Sequence, residues 1–253
     1  MEGLERWRDK LALVTGASAG IGRATATALA GAGLRVVLAA RDGDRLAALA
    51  EELAGQGGEA HPAPTDLRDE GQILALFERV RQEWGGLDVL VNNAGLGVAG
   101  ALADGRSEDW REVLDVNVLA CSICMREARR QMEGRTDAAI VNISSLAGHR
   151  YLPDLGSAYY SASKHAVRVL TDAMRAELAA ARSPIKIGTI SPGLVRTEFH
   201  ARASRGTDWS TAKSATHEFL RPEDIAREVL HLLAAPRGVQ ISDIAIRPIG
   251  QVR

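Results

Sequence analysis

Two side chains with complementary proton chemistry, Tyr160 and Lys164, lie four residues apart in a stretch of helical periodicity. Residues at positions i and i+4 lie on one face of a helix, a turn apart. A tyrosine hydroxyl has a pKa of about 10, and a nearby ammonium group favours the phenolate and lowers that pKa. The pair therefore indicates proton exchange with a carbonyl or an alcohol. The alternative for an arbitrary pair is an aromatic ring packed over a lysine stem.

Tyr159 competes with Tyr160 for the same role. Tyr160 has a lysine at i+4, whereas Tyr159 has Ser163 at that position. We therefore predict that Tyr160 exchanges the proton and that Tyr159 packs or borders the substrate.

Two adjacent serines, Ser144 and Ser145, follow a short apolar run at 139–143. Either hydroxyl could cap a turn. A serine hydroxyl can also hydrogen-bond a carbonyl oxygen and stabilise negative charge that develops there. Spacing alone leaves both roles open for both serines.

A glycine-rich turn contains Gly16, Gly20 and Gly22 between an apolar run and an amphipathic stretch. Gly16 permits a tight turn, Gly20 lets the backbone approach a pyrophosphate, and Gly22 allows close packing of helix on strand. The helix N-terminus supplies free N–H groups and a positive dipole end for phosphates. Glycines also mark ordinary loops, but the order strand, turn, helix predicts a dinucleotide site.

Short apolar runs alternate with amphipathic stretches along the whole chain. The predicted strands cover 11–14, 36–40, 87–91, 139–143, 185–190 and 241–246, and the predicted helices cover 20–32, 45–54, 108–132, 157–180 and 222–233. Such runs suit strands that are buried on both faces, so the fold class is α/β, a doubly wound parallel sheet of about seven strands with helices on both faces. Ligands of such sheets bind beyond the carboxyl ends of the strands.

The glycine spacing and an ordered set of later motifs resemble the short-chain dehydrogenase/reductase family over nearly the whole chain. The later motifs are Asn92-Asn93-Ala94-Gly95, Asn117, Ser145, Tyr160-Ser161-Ala162-Ser163-Lys164, and Pro192-Gly193 followed by Thr197. The resemblance implies one Rossmann-type domain over residues 1–253, with hydride transfer between a nicotinamide cofactor and a carbonyl or alcohol. The family pattern Ser-x-x-Gly assigns the functional serine to Ser145.

The resemblance also implies roles for single residues. Tyr160 is the acid/base, Ser145 stabilises the substrate oxygen, Lys164 lowers the tyrosine pKa and binds the nicotinamide ribose, and Asn117 anchors a water that links Lys164 to solvent. Without the resemblance, Asn117 could be a core asparagine and Asp66 a turn or capping residue. The other implied cofactor contacts are Gly16, Ser18, Ala19, Gly20, Ile21, Gly22, Arg41, Asp42, Asp66, Leu67, Asn93, Ala94, Gly95, Pro192, Gly193, Val195 and Thr197.

The end of the second predicted strand distinguishes NADP from NAD. In many NAD-dependent enzymes an acidic residue here binds the ribose 2′-hydroxyl. This chain is apolar up to Arg41, whose guanidinium can pair with a 2′-phosphate in a bidentate manner. We predict NADP(H) as the cofactor, although Asp42 next to it argues the other way.

Composition and charge narrow the partners. The chain has 253 residues, is 46% hydrophobic and carries a net charge of −1, with basic residues dispersed apart from a short cluster at Arg6, Arg8 and Lys10. A broad surface for nucleic acid is therefore not expected. Neither an apolar leader nor a stretch long enough to span a bilayer is visible, so we expect a cytoplasmic enzyme of a small-molecule substrate.

The two cysteines, Cys121 and Cys124, have CxxC spacing inside a helical pattern. A structural zinc site usually needs four ligands, and a redox CxxC usually lies at a helix N-terminus. We therefore predict helix packing for both cysteines and no metal site.

Three segments, 5–16, 148–153 and 241–248, narrow the resemblance to a subgroup with 17β-hydroxysteroid and 3-ketosteroid reductases and farnesol dehydrogenase-like insect enzymes. A ketone or secondary alcohol is implied, with a primary allylic alcohol as the alternative. The segment at about 196–218 is expected to cover the substrate, and an enlarged loop at 148–156 to border it.

Two further interpretations stay open. A Rossmann-type domain can act as a dinucleotide sensor after losing its chemistry, and an epimerase or dehydratase could oxidise its cofactor transiently. By analogy with the family, we expect a homodimer or homotetramer that pairs through the helices at 108–132 and 157–180.

Overall fold

Seven parallel strands form one sheet in the computed structural model, which describes residues 2–98, 101–151, 158–199 and 218–251. The strands are β1 (Leu11–Thr15), β2 (Arg35–Ala40), β3 (Glu59–Pro64), β4 (Val89–Asn92), β5 (Ala139–Ile143), β6 (Lys186–Pro192) and β7 (Asp243–Ile246). Their order is β3-β2-β1-β4-β5-β6-β7, and every neighbouring pair is parallel. The order reverses between β1 and β4, which places a crevice at their carboxyl ends. The predicted fold class is confirmed.

Helices cover both faces of the sheet. They are α1 (Gly20–Gly31), α2 (Gly43–Gly55), α3 (Glu70–Trp84), α4 (Ser107–Leu114), α5 (Cys121–Gln131), α6 (Ala158–Ala180) and α7 (Pro222–Ala234). A π-helical turn, Asp115–Ala120, joins α4 to α5. The single helix predicted over 108–132 is therefore interrupted, and apolar periodicity could not reveal this local change of hydrogen bonding. π-helical turns are often found at functional sites.

Alternating side chains of each central strand build two apolar layers. In β1, Ala12 and Val14 face the layer under α1, α2 and α7, whereas Leu11 and Leu13 face the layer under α3, α5 and α6. All four side chains are fully buried. Burial on both faces is the reason why these strands read as continuous apolar runs in the sequence.

The third strand and the helix after it had no counterpart in the predicted elements. β3 pairs only with β2 at the edge of the sheet, is half-buried, and contains Pro62 and Pro64, which an edge strand tolerates. It therefore shows no apolar run. The following helix, α3, does carry end signals: Asp69 accepts hydrogen bonds from the first turn, and Gly85 ends the helix with φ +73°.

Cys121 and Cys124 both lie in the core on α5, as the packing interpretation predicts. Burial raises the pKa of the Cys121 thiol to about 12 and also raises that of Cys124. Both thiols are therefore held in the protonated form at neutral pH. Across the described ranges, no helix combines the length and apolar character that crossing a bilayer requires.

Candidate active site

A cleft of about 870 Å³ opens at the carboxyl ends of the central strands. It has the size of a typical small-molecule or cofactor site. All the predicted site residues line it except Gly22 and Asn117, which lie directly behind the wall. The structure thus brings together residues from the ends of six strands, with Gly16 and Thr197 181 positions apart in the chain.

The glycine turn after β1 forms the floor of the cleft. Gly16 has φ +66° and Gly20 has φ +54°, a backbone conformation that other residues rarely adopt. A Cβ at Gly22 would overlap the carbonyl oxygen of Gly16 and the side-chain amide of Asn93. These positions require glycine because the turn, the helix and β4 approach one another so closely.

The N-terminus of α1 points its main-chain donors toward this floor. Its N-cap is Ala19, which makes no side-chain hydrogen bond to the first turn. Soluble helices usually satisfy these N–H groups with Ser, Thr, Asp or Asn at the N-cap. An uncapped helix end in a polar cleft fits the phosphates of a dinucleotide.

Asn93 and Thr15 fasten the end of β4 to the glycine turn. The side-chain amide of Asn93 donates to the carbonyl oxygens of Thr15 (2.9 Å) and Gly16 (3.3 Å). In return, the Thr15 hydroxyl accepts from the N–H groups of Asn93 and Ala94, each at 3.0 Å. Asn93 therefore holds the glycine turn in position. Thr15, which takes part in the same set of hydrogen bonds, was not among the residues predicted from the sequence.

Charged residues of both signs line the far end of the cleft, beyond β2 and β3. Arg41 lines the cleft, is exposed and forms no ion pair with any residue of the described ranges. Asp42 instead caps α2, accepting from the Arg45 N–H at 3.1 Å and pairing with the Arg45 guanidinium. The carboxylate of Asp42 is thus engaged by α2 and Arg45, whereas Arg41 lines the cleft.

The Asp66 carboxylate is hydrogen-bonded by Arg68, a residue that was not predicted from the sequence. Arg68 donates to both carboxylate oxygens of Asp66 and also pairs with Glu112 of α4. The hydrogen bonds from Arg68 lower the pKa of Asp66. Asp66 and Leu67 line the cleft, with the Asp66 carboxylate bonded to Arg68, and their predicted contact with the cofactor stays a prediction.

Ser144 and Ser145 have different partners. The Ser144 hydroxyl donates to the carbonyl oxygen of Lys164 at 3.2 Å and so ties β5 to α6. The Ser145 hydroxyl accepts from Ala147 N–H at 3.1 Å and makes a side-chain hydrogen bond with Tyr160. The structure therefore places Ser145, and not Ser144, beside Tyr160, and the predicted role of Ser145 at a substrate oxygen stays a prediction.

Lys164 is buried behind Tyr160. Its ammonium group donates to the carbonyl oxygen of Ile143 at 2.8 Å and lies 5.7 Å from the centre of the Tyr160 ring. Burial lowers the pKa of Lys164 to about 8. Burial also raises the pKa of Tyr160 to about 12, against the effect of the Ser145 hydrogen bond. The lowering expected from Lys164 therefore does not outweigh desolvation of the phenolate in this arrangement.

Asn117 lies in the π-helical turn, and its side chain is committed to protein groups. Its Oδ1 accepts from Leu96 N–H at 2.8 Å, and its Nδ2 donates to the Leu96 carbonyl (2.8 Å) and to the Ser163 hydroxyl (2.9 Å). Asn117 thus fixes the loop after β4 against α6. Its predicted role as the anchor of a relay water stays a prediction.

Aromatic rings distinguish the two tyrosines. Tyr159 stacks on Trp110 of α4, with ring centres 4.5 Å apart and planes within 6°. Tyr160 faces the cleft, and Phe199 lies over it with ring centres 5.3 Å apart. Phe199 is a wall residue that no local motif in the sequence marks. Tyr159 packs, in agreement with one of the two predicted roles.

Two expected substrate segments fall mostly outside the described residues. Of the segment at 196–218, positions 200–217 lie outside them, and of the loop at 148–156, positions 152–156 do.

The family model described as short chain dehydrogenase matches residues 10–208. Bovine dehydrogenase/reductase SDR family member 11 is 45% identical over 254 residues, which cover 98% of this chain and 100% of that protein. A farnesol dehydrogenase from Aedes aegypti is 40% identical over 251 residues, 98% of this chain and 99% of that protein. The subgroup predicted from three short segments is confirmed by these relatives.

Solved structures of similar chains bind different nicotinamide cofactors. The closed form of a serine dehydrogenase complexed with NADP+ has a TM-score of 0.88 and 30% identity, covering 96% of each chain. A short-chain dehydrogenase/reductase from Burkholderia phymatum in complex with NAD has a TM-score of 0.82 and 29% identity, covering 94% of this chain and 89% of that one.

Proposed function

The chain belongs to the short-chain dehydrogenase/reductase family, and on that premise we propose that it is an NADP(H)-dependent reductase of ketones, acting reversibly on secondary alcohols. The observation that carries the proposal is the placement of Tyr160, Ser145 and Lys164 on one wall of the cleft. The glycine turn and the uncapped end of α1 form the floor of the cleft. Positive φ at Gly16 and Gly20 and the N–H groups of the helix end, which the N-cap side chain leaves unbonded, suit the phosphates of a dinucleotide.

Tyr160 is the proton donor in this mechanism. When bound, the nicotinamide supplies the hydride to the carbonyl carbon. The buried Tyr160 hydroxyl is protonated at neutral pH, since its pKa is about 12, and it donates its proton to the substrate oxygen. Ser145, which already hydrogen-bonds Tyr160, donates to the same oxygen and stabilises the charge that develops there.

Lys164 and Asn117 support the proton transfer. The ammonium group of Lys164 faces the Tyr160 ring and opposes the cost of the charge left on the tyrosine oxygen. The ammonium group also lies close to the loop after β4, since a Cβ placed at Gly95 would be 3.4 Å from Nζ. A nicotinamide ribose bound at this loop would therefore be within reach of Lys164. Asn117 holds that loop and would anchor the water through which the proton is replaced.

The preference for NADP(H) is supported by the charges beyond β2. Arg41 lines the cleft, while the neighbouring carboxylate of Asp42 caps α2 and pairs with Arg45. An arginine in this position can bind a 2′-phosphate through two charge-assisted hydrogen bonds. A free carboxylate would instead favour the 2′-hydroxyl of NAD.

An apolar substrate is supported by the walls around Tyr160. Leu146 packs against the Tyr160 ring, and Phe199 lies over it where Gly97 leaves room. Leu96, Val98 and Leu194 complete this lining. A carbonyl with apolar substituents would bury those substituents here while its oxygen meets Ser145 and Tyr160.

A primary allylic alcohol is the second candidate substrate. The observation that favours it is the 40% identity to a farnesol dehydrogenase over nearly the full length. The same three side chains would then work in the direction of oxidation, with Tyr160 accepting the proton.

The test is oxidation of NADPH and NADH, followed by absorbance, against ketosteroids, diketones, quinones and aldehydes, with reduction of NADP+ and NAD+ by farnesol in parallel. We expect turnover with NADPH that is lost in Tyr160→Phe and retained in the matched variant Tyr159→Phe. NADPH binding without turnover of any substrate would favour a dinucleotide sensor instead. Equal loss in both tyrosine variants would contradict the assignment of Tyr160.

A further inference from the structure

Gln251 lies close to the end of the chain, yet it is part of the wall of the cleft. Its side chain is only 9% exposed, and its Oε1 accepts a hydrogen bond of 3.0 Å from the main-chain N–H of Leu194. We infer that Gln251 is a positioning residue that holds the 192–194 turn in the shape the reaction centre needs. The inference rests on the proposed function and adds to it a residue that no motif marks.

The N–H groups of the 192–194 turn bond to the C-terminal segment, while the Leu194 carbonyl accepts from Leu220 N–H at 2.9 Å. Gly193 N–H donates to the carbonyl oxygen of Ile246 at 2.7 Å, and the next N–H, that of Leu194, donates to Gln251. A Cβ at Gly193 would overlap Oε1 of Gln251. The carboxamide of Gln251 is therefore fitted directly against the turn, and glycine at 193 is what allows this approach.

A reverse turn after β7 brings Gln251 back to the cleft. Gln251 N–H donates to the carbonyl oxygen of Pro248 at 3.2 Å, and Gly250 has φ +89°. Ile249 at the outside of this turn is 92% exposed. The backbone geometry thus separates an inward residue, Gln251, from an outward one that can serve as its control.

The 192–194 turn contacts Ser145 of the proposed reaction centre. The Ser145 hydroxyl lies 3.5 Å from the carbonyl oxygen of Pro192, and it also hydrogen-bonds Tyr160. A serine hydroxyl has one proton, so the position of the Pro192 carbonyl influences which acceptor that proton faces. Without Gln251 the turn would keep its bonds to Ile246 and Leu220 but lose the one at Leu194 N–H, so the Pro192 carbonyl beside Ser145 would be less firmly positioned. Small displacements of reacting groups are costly to the rate.

Three variants separate this role from a general loss of stability. Gln251→Leu keeps the approximate volume and removes the acceptor, Gln251→Glu restores an acceptor oxygen at the same place, and Ile249→Ala is the control on the same turn. We expect Gln251→Leu to lower kcat with the best carbonyl substrate about tenfold and to raise KM for NADPH, as loss of a buried hydrogen bond predicts. We expect Gln251→Glu to stay within about threefold of wild type, and Ile249→Ala to be unchanged.

Hydrogen exchange measures the bond itself without any turnover. The amide of Leu194 should exchange faster in Gln251→Leu than in wild type and should be protected again in Gln251→Glu. Thermal melting of the same samples shows whether each variant is folded at the assay temperature. A merely structural role would lower the melting temperature and leave kcat and KM of the folded protein unchanged.

The outcomes distinguish this inference from the proposed function. If wild type turns over NADPH and Gln251→Leu does so equally, the inference is overturned and the proposed function stands. If Gln251→Leu alone loses rate and Leu194 protection, and Gln251→Glu recovers both, the inference is supported. If wild type neither binds nor oxidises either cofactor, the proposed function falls and the role of Gln251 in catalysis falls with it.

Discussion

At the scale of single residues, burial sets the pKa values of Tyr160 and Lys164. Tyr160 and Lys164 are both withdrawn from water, and burial disfavours the charged form of each, so the pKa of the tyrosine rises to about 12 and that of the lysine falls to about 8. Tyr160 is therefore protonated at neutral pH, as the proposed carbonyl reduction requires of its proton donor. In that proposal Ser145, which hydrogen-bonds Tyr160, also donates to the substrate oxygen.

The pH dependence of reduction follows from these two groups. Below about pH 8, Tyr160 carries its proton and Lys164 its positive charge. We expect kcat/KM for carbonyl reduction to be constant there and to fall as the pH rises through about 8, because a neutral Lys164 no longer opposes the charge left on the tyrosine. Alcohol oxidation needs the Tyr160 phenolate, which the charged Lys164 stabilises, so we expect its rate to rise with pH and to rise less steeply above about pH 8. Rates measured in both directions over one pH series test this, and a reduction rate that rises through the same range would contradict it.

Arg41 should determine the choice between the two cofactors. Arg41→Ala removes a guanidinium from the lining of the cleft, so we expect KM for NADPH to rise about tenfold or more while KM for NADH changes by less than about twofold. Arg23→Ala is the matched control, because Arg23 lies on α1 nearby and is paired with Glu52. Equal weakening of both cofactors by Arg41→Ala would show that this arginine does not read the 2′-phosphate.

At the scale of elements, the approach of α1 to β1 and β4 shapes the cofactor floor. Gly22 lies at the point where the helix meets the carbonyl oxygen of Gly16 and the amide of Asn93. The same amide holds Thr15, so one side chain links two strands and the helix. The geometry of this floor is therefore a property of three packed elements rather than of the glycine turn alone.

A methyl group at Gly22 should push α1 away from the glycine turn and from Asn93. We expect Gly22→Ala to weaken NADPH binding at least about tenfold and to lower the melting temperature by several degrees, since its Cβ would meet main-chain atoms that cannot yield cheaply. Gly31→Ala is the control in the same helix, where a Cβ meets nothing within 4 Å. Fluorescence titration with NADPH and thermal melting measure the two effects. Wild-type affinity in Gly22→Ala would contradict the close packing.

At the scale of the whole molecule, the sheet order collects the site. The reversal between β1 and β4 places the glycine turn beside Asn93, and the adjacent β5 and β6 add Ser145 and the 192–194 turn. The C-terminal segment after β7 closes this end of the sheet through Gln251. The cleft is thus assembled from nearly the full length of the chain.

We propose that the molecule is a homodimer or homotetramer that pairs through α4, α5 and α6. The support within the described residues is exposed apolar surface on these elements: Val169 of α6 is 66% exposed and Leu119 of the π-helical turn is 54% exposed. Large apolar side chains that cluster on a surface often mark an interface. We expect Val169→Asp to shift the protein toward the monomer in light scattering, whereas Val239→Asp, on an exposed site between α7 and β7, should not. A monomeric wild type at micromolar concentration would contradict the proposal.

The sequence by itself determined what depends on neighbours in the chain. The i, i+4 spacing put Tyr160 and Lys164 on one face, the glycine turn followed an apolar strand, and the apolar runs identified strands buried on both faces. The family resemblance then chose Ser145 over Ser144. Only the tertiary structure gave these serines their different partners, the half-buried edge strand β3, the Phe199 ring over Tyr160, and Gln251 at the 192–194 turn. Local spacing fixes the contacts within an element, whereas contacts between residues far apart in the chain follow from strand order and packing, which no short segment contains.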